Sequence, residues 1–474
     1  MAIIATAAAI STGAAVAAGT VAFTFAAIAT TFAVNFALGA AMKALAPKPS
    51  IPSGAIRGYQ TNSLAPAQDH QIIYGKVRSG GAIVYDEATG DNNKFLHRII
   101  AIAGHEVQSF DEIYVNDEVV TLVGNGYVKH ETKYWKLTQD FSNFQSGKFF
   151  STLTGAEFTT LAQLQAYISG SFILSVTIGE RLIRVKTHNG ESDQSADTDL
   201  VTESNARWTS EHRLRGVAYM YVRLGFDADA FPNGIPIFTA TIKGKKLYDP
   251  RTSTTAWSDN PALCLRDYLT SKYGLEEEVA NIDDTLVSSA ANVCDQTNTI
   301  ASTTRYTCNG GFTTAVTPYD MINEILKSMG GSLWYAQGKW RMKPAYWTTP
   351  VMDLNEDDLR SGISVGTRHS RRDNFNVIKG TFRGEESNWQ TTDYPQVTNT
   401  AFLIADNNQE SVADVDLTFT DNSIEARRLA LISLERNRQQ LTVSASFGLS
   451  TLELQVGDNV RLTNTRFGWT NKEF

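Results

Sequence analysis

Seven histidines, three cysteines and a few carboxylate pairs are the residues with which this 474-residue chain could do chemistry, and their spacing fits no known chemistry. The histidines are His70, His97, His105, His130, His188, His212 and His369, and no two stand at metal-ligand spacing. His130-Glu131 lacks a second histidine one turn later, which excludes a zincin site. Cys264, Cys294 and Cys308 make neither a disulfide framework nor a zinc motif, and read as free thiols of a protein folded in a reducing cytosol. No GxSxG nucleophile elbow occurs. Asp283-Asp284 and Asp357-Asp358 lie in polar stretches as solvated loop charges, while a glycosidase pair built from distant carboxylates stays open. Asp227-Ala228-Asp229 starts like a calcium loop, but Phe231 takes the place of the third ligand, Gly234 comes two places late and no Glu closes it. That segment reads as a turn. Gly124-Asn125-Gly126 is followed by no helix start, so it reads as a hairpin turn rather than a phosphate loop. The expectation is no catalytic, metal or cofactor site, and no enzyme.

The elements around these residues indicate a mainly β chain with α+β parts. Aromatics are plentiful, with 8 Trp, 17 Tyr and 23 Phe, a composition that favours strands. Strands are expected at 72–74, 82–85, 95–102, 112–115, 172–178, 182–185 and 217–224, with a hairpin turn at Asn116-Asp117. A second hairpin is expected from Phe238–Ile242 and Lys246–Tyr248 around Gly244. Residues 138–185 look like an insertion rich in Phe, with Leu161, Leu164 and Ile168 at helical spacing, and 189–205 like a polar loop. Asn260-Pro261 and Thr317-Pro318 each pair an N-cap with Pro at the first helical position. The second of these helices carries Ile322, Ile325, Leu326 and Met329 on one face. Leu333–Tyr335 and Trp340–Met342 form a hairpin turning at Gln337-Gly338. Strands are then expected at 376–382 and 401–404. A helix from Asn422 has Glu425 in capping-box position and a core face of Ile424, Leu431 and Leu434. Alternation predicts strands at 441–447 and 452–456, then a strand through Val460 and Leu462 whose hairpin lacks a further partner, as though the fold continued.

The first 42 residues hold no charge and 17 alanines, an apolar helical segment over 1–46. Phe25, Ile28, Phe32 and Phe36 share one helical face, opposite Ala and Thr. No basic residue precedes Lys43, contrary to a signal peptide. A membrane anchor, a helix buried in an oligomer, and a helix sheltered in protein and later released into a membrane all stay open. Four of the 12 prolines fall within 47–66, so 47–70 reads as a linker and the folded body begins near Gln71. Lys+Arg 42 against Asp+Glu 50 gives a net charge of −8, which argues against a general nucleic-acid binder.

Several stretches resemble one family. They are Gln71 to Glu87 (QIIYGKVRSGGAIVYDE), Leu96 to Ala101 (LHRIIA), Asp111 to Asp117 (DEIYVND), Leu214 to Tyr219 (LRGVAY), Phe231 to Pro236 (FPNGIP) and Lys243 to Pro250 (KGKKLYDP). Trp257 to Leu269 (WSDNPALCLRDYL) is the most specific, and Ser370 to Asn376 (SRRDNFN) and Phe467 to Lys472 (FGWTNK) complete the set. Over about 55–474 the chain is similar to the tip attachment protein J family of long, flexible-tailed phages, also called central tail hub or host-specificity proteins. The resemblance implies a multidomain tail hub with tail-tube-like β-barrel domains. It divides the chain into a β-rich hub region at 71–250, an α+β hub domain at 251–350 and a second tube-like β domain at 351–474. It further implies a homotrimer at the distal end of the virion tail, assembled in the host cytoplasm, that adapts a sixfold tube to a threefold tip. Its partners would be distal tail and tube proteins, the tape-measure protein and other tip proteins, with the host membrane reached through 1–46 and DNA only as passing cargo. Phe25, Ile28, Phe32 and Phe36 would then face the lumen or a membrane. Two rivals are a membrane-anchored β-rich bacterial surface protein and a hub-borne cell-wall hydrolase.

Overall fold

In the computed structural model the described residues are 62–63, 68–129, 131–170, 178–298, 303–368, 370 and 373–474. The apolar segment with Phe25, Ile28, Phe32 and Phe36, the strand expected over 172–177, and His130 and His369 lie outside them. The mainly β expectation is met.

The first half is built on two sheets. One has seven strands in the order Asn62–Ser63, Gly81–Thr89, Phe95–Ala103, Ala218–Gly225, Ile183–His188, Tyr127–Val128 and Leu122–Val123. The other runs Thr254–Trp257, Phe238–Asp249, Val107–Val115 and Glu118–Val120, and Lys76–Ser79 also pairs with Phe238–Asp249. Side chains alternate between faces with period two, so Ile100, Ile102, Met220 and Val222 meet Val115, Phe238, Ala240 and Ile242 in a core shared by both sheets. The other face turns Ile99, Tyr219 and Tyr221 against Leu200 and Trp208. Asn116 and Asp117 have φ of 48° and 67°, the backbone that a two-residue hairpin between right-twisted strands requires. Phe149–Ser151 and Ile178–Arg181 within 138–185 form a separate three-stranded sheet with Trp135–Leu137, which just precedes that segment. The Leu161–Gly170 helix covers it around Phe149, Phe158, Leu164 and Ile178.

The second half is a helical layer on short sheets. Helices Pro261–Thr270, Asp284–Cys294, Pro318–Ser328 and Ser423–Arg438 share one core, in which Leu263, Met321 and Ile325 meet Ile378, Phe419, Leu429 and Leu434. Asn260 and Thr317 cap the first and third of these helices as expected, each followed by Pro. Gln71–Tyr74 joins this half by pairing antiparallel with Gly310–Thr313.

Several expectations fail for local reasons. Phe238–Asp249 is one strand and not a hairpin around Gly244. Gly244 is there because a Cβ would lie 2.2 Å from the Ile73 carbonyl oxygen, and its own N–H donates to Gly75 O at 2.7 Å. Residues 401–404 are helical within Thr400–Ala405, started by the Asn399 cap. The 189–205 loop contains the helix Thr198–Glu203, capped by Asp197. The alternation at 452–456 is exposed, and Leu449–Glu453 is a 3₁₀ turn. The strand expected at 376–382 breaks at Gly380, where a Cβ would meet Val415 O at 2.0 Å. On the Ser423–Arg438 helix, Ile424 and Leu431 are exposed, and the core face is Ala426, Leu429, Ala430 and Leu434. The Val460–Asn464 strand finds two partners, Trp469–Glu473 and Met352–Leu354. The linker reading also shortens, since Asn62 and Ser63 pair with Gly81 and Ala82.

Candidate functional site

Polar chemistry in this fold is gathered into two buried clusters and a cleft. The first cluster lies on the seven-stranded sheet, where antiparallel pairing puts Arg184 opposite Arg223. Arg184 is fully buried, and its guanidinium donates to Glu203 Oε1 at 3.1 Å, Glu203 Oε2 at 2.9 Å, Gln145 Oε1 at 2.8 Å and Tyr221 Oη at 3.1 Å. Arg223 Nε stands 3.0 Å from Glu203 Oε2, and its Nη1 donates to Tyr127 Oη at 3.1 Å. Burial alone would raise the Glu203 carboxyl, but Arg223 and Arg184 outweigh it and hold the group below its ordinary range. His97 bridges Thr89 and Tyr221 at 2.7 and 2.8 Å, and burial pushes it down to about 4, so it is neutral.

The second cluster is a seam around Tyr306–Asn309, where four parts of the chain meet. Cys308 N donates to Asp259 O at 2.7 Å, Asn309 N to Phe419 O at 2.8 Å, and Lys76 N to Asn309 Oδ1 at 2.7 Å. Thr307 gives both its donors to Glu425, N–H to Oε1 and hydroxyl to Oε2, each at 2.8 Å. Glu425 therefore does not close a capping box; its carboxyl turns inward, and only 3% of the residue is exposed. Desolvation pushes it up to about 8, and Asp421 beside it adds to the effect. Desolvation likewise raises Asp421, and raises Asp259 to about 6. Gly75, at φ +61°, lets the strand turn against this seam, since a Cβ would stand 2.1 Å from Asn309 Oδ1.

The remaining chemistry-bearing residues are dispersed. Cys264, Cys294 and Cys308 are free and buried, and burial raises the Cys264 and Cys294 thiols. Asp227 Oδ1 accepts the N–H groups of Asp229 and Ala230, the expected turn. Asp283 caps the Asp284–Cys294 helix and Asp284 pairs with Arg266, so these two are structural. Asp358 completes a capping box with Asn355. His188 meets Asp197 at 2.9 Å in a polar cleft of about 720 Å³ that also holds Ser195, and no hydrogen bond among the described residues links this pair to a nucleophile. Spacing rules miss both clusters, because their members come from separate elements, 19 to more than 100 residues apart along the chain, that only the fold brings together. The only sequence signal was a Glu at 425 on the buried side of an otherwise apolar helix face.

Two exposed apolar surfaces are also present. Phe226, Ile235, Ile237 and Val119 are exposed beside the Asn116-Asp117 turn, which is tied to Ile237 through both backbone and side chain of Asn116. Trp347, Val351, Leu452 and Val456 are exposed around the junction where Val351 N donates to Asn459 O at 2.8 Å.

Comparison with known proteins follows the same line. A family described as putative phage tail protein matches residues 317–472. The chain is 22% identical to the baseplate hub protein pb3 of Escherichia phage T5, over 85% of this chain and 45% of that protein. It is 25% identical to tip attachment protein J of Escherichia phage SECphi27, over 60% of this chain and 25% of that protein. A chain in the virion of a native gene transfer agent particle shares the fold, with a TM-score of 0.53 at 14% identity over 94% of this chain and 91% of that one. The chain spans less than half the length of the curated relatives it matches.

Proposed function

We propose that the chain is a tail hub or tip protein at the tail end of a phage virion, as its similarity to such proteins suggests, and that three copies form the hub that closes the tail tube. In this reading two tube-like β regions per chain, within 71–250 and 351–474, give a pseudo-sixfold ring that docks on a sixfold tube and presents a threefold tip. The alignment with a baseplate hub protein over 85% of the chain carries the reading. The net charge of −8 suits a channel wall along which DNA passes without adhering. The two exposed apolar surfaces supply contacts to neighbouring copies, distal tail proteins and other tip proteins. Residues 1–46 lie in the lumen against the tape-measure protein or enter the host membrane at ejection, with Phe25, Ile28, Phe32 and Phe36 as the contact face. The work is done by interfaces rather than by catalysis.

Electron microscopy of the native assembly containing the chain tests this. A threefold particle with a central channel, seated on a sixfold tube, is the expected image. Membrane-embedded monomers without ring or tube would overturn it in favour of an anchored surface protein. A peptide of residues 1–46 should partition into liposomes; none bound would remove the membrane half of the reading.

A further inference from the structure

Three arginines gather about Tyr306, and the one carboxylate shown to feel any of them is Glu425, acted on by Arg428. Arg428 lies over the Tyr306 ring at 5.6 Å, and Arg305 lies over the ring of Tyr346 at 5.3 Å. Arg305 and Arg428 both act electrostatically on the Tyr306 hydroxyl, and Arg436 is also within electrostatic reach of it. Tyr306 itself is fixed, buried, by donating to Ala345 O at 2.7 Å. Arg428 and Arg436 sit about two turns apart on the Ser423–Arg438 helix, so they flank the same side of Tyr306. Arg436 spends one N–H on Gly330 O at 2.6 Å.

None of the three arginines has an ion-pair partner among the described residues. Nε and Nη2 of Arg428 and Nε of Arg305 are buried and meet no acceptor there. The acid nearest in sequence, Glu425 one turn before Arg428, has both carboxyl oxygens on Thr307. Buried guanidinium donors left unpaired are costly, and folded proteins pair them with protein, water or a bound ion. The Tyr346 ring under Arg305 is exposed, as is the neighbouring Trp347.

We propose that Arg305, Arg428 and Arg436 form a binding site for an oxyanion, a carboxylate or phosphate group held by forked guanidinium hydrogen bonds. The site does not depend on the hub reading. The anion is either free in solution or the side-chain carboxylate of a docking polypeptide. Guanidinium forks match both, and the two sources separate by experiment.

Melting of the full chain is followed at constant ionic strength in chloride, in inorganic phosphate and in acetate, the last as a stand-in for a carboxylate side chain. Phosphate should raise the melting temperature of the wild type in a saturable manner. Arg428→Met should melt no lower than wild type in chloride, since it removes a half-buried guanidinium whose Nε and Nη2 meet no acceptor among the described residues. The same variant should bind phosphate at least about tenfold more weakly. Arg436→Gln, whose side chain is partly exposed, serves as a second variant that keeps the fold and weakens the response. Saturation by phosphate and acetate alike assigns the site to a polypeptide carboxylate; saturation by phosphate alone assigns it to a free oxyanion. No response beyond chloride, or an equal response in Arg428→Met and Arg436→Gln, would overturn the proposal.

Discussion

Replacing Glu425 by Gln should remove a loss of stability that the wild type suffers as pH rises. In the folded chain the Glu425 carboxyl is pushed up to about 8 by burial, against an ordinary value of 4.5. The folded state therefore keeps a proton that the unfolded chain releases. Its contribution is fully present below pH 4.5, is lost as pH rises, and is exhausted above pH 8. The separation of the two values corresponds to about 5 kcal/mol in all, at roughly 1.36 kcal/mol per pH unit. About 2 kcal/mol of this falls between pH 6 and pH 8. Asp259, raised to about 6, acts in the same direction, but most of its loss lies below that window. Gln keeps the geometry, since its carbonyl can accept the Thr307 N–H and its amide can donate to the Thr307 hydroxyl. The assay is urea unfolding followed by far-ultraviolet circular dichroism at pH 6, 7, 8 and 9, with the helical second half as the reporter. Relative to the variant, the wild type should lose about 2 kcal/mol between pH 6 and pH 8, while His97 and His105, both lowered to about 4 by burial, raise the stability of both chains alike over that range. Parallel pH profiles, or a variant weaker than wild type at pH 8, would refute a protonated Glu425. Glu425→Ala is the control: it leaves the Thr307 N–H unpaired, the hydroxyl keeping Asp421 Oδ1 at 3.3 Å, and should cost about 1–3 kcal/mol.

Three further outcomes are expected. Glu203→Ala leaves buried Arg223 without its carboxylate and Arg184 with only Asp199, 3.3 Å away, and should cost about 3–5 kcal/mol in denaturant unfolding. Gly244→Val drives a side chain into the Ile73 carbonyl, 2.2 Å from where its Cβ must stand, and should cost about 4 kcal/mol or more, visible as loss of soluble folded chain. Cys264, Cys294 and Cys308 should resist a thiol reagent in the native protein and all three should react once denaturant is added, as mass spectrometry would count.

The parts of the fold that were legible in the sequence are those decided locally. Asn260-Pro261, Thr317-Pro318 and Asn116-Asp117 each carry their own backbone instruction, and the structure follows all three. Tertiary contacts decided the rest. Gly244 looks like a turn residue, yet it serves a close strand approach that only its distant neighbour Ile73 reveals. Leu452, Leu454 and Val456 alternate like a strand, but no strand lies alongside to receive them. Glu425 fits a capping box by position, and its carboxyl is drawn inward by Thr307, 118 residues away. The motif resemblance indicated a tail hub, whereas both buried clusters and the three arginines depend on pairings that no spacing rule encodes.

The pairing of Gln71–Tyr74 with Gly310–Thr313 has a consequence for how the chain is made. The two strands are about 240 positions apart in sequence. At roughly 5–20 residues per second, a ribosome needs on the order of 12–48 s to deliver the second after the first. Throughout that interval Ile72 and Tyr74, both buried in the finished protein, have no strand to complete them. The opening strand is therefore among the last to be secured, and contacts this remote in sequence fold slowly. Synthesis exposes that strand to wrong partners for tens of seconds, so yield should depend on chaperone supply and translation speed more than on the stability of the finished protein.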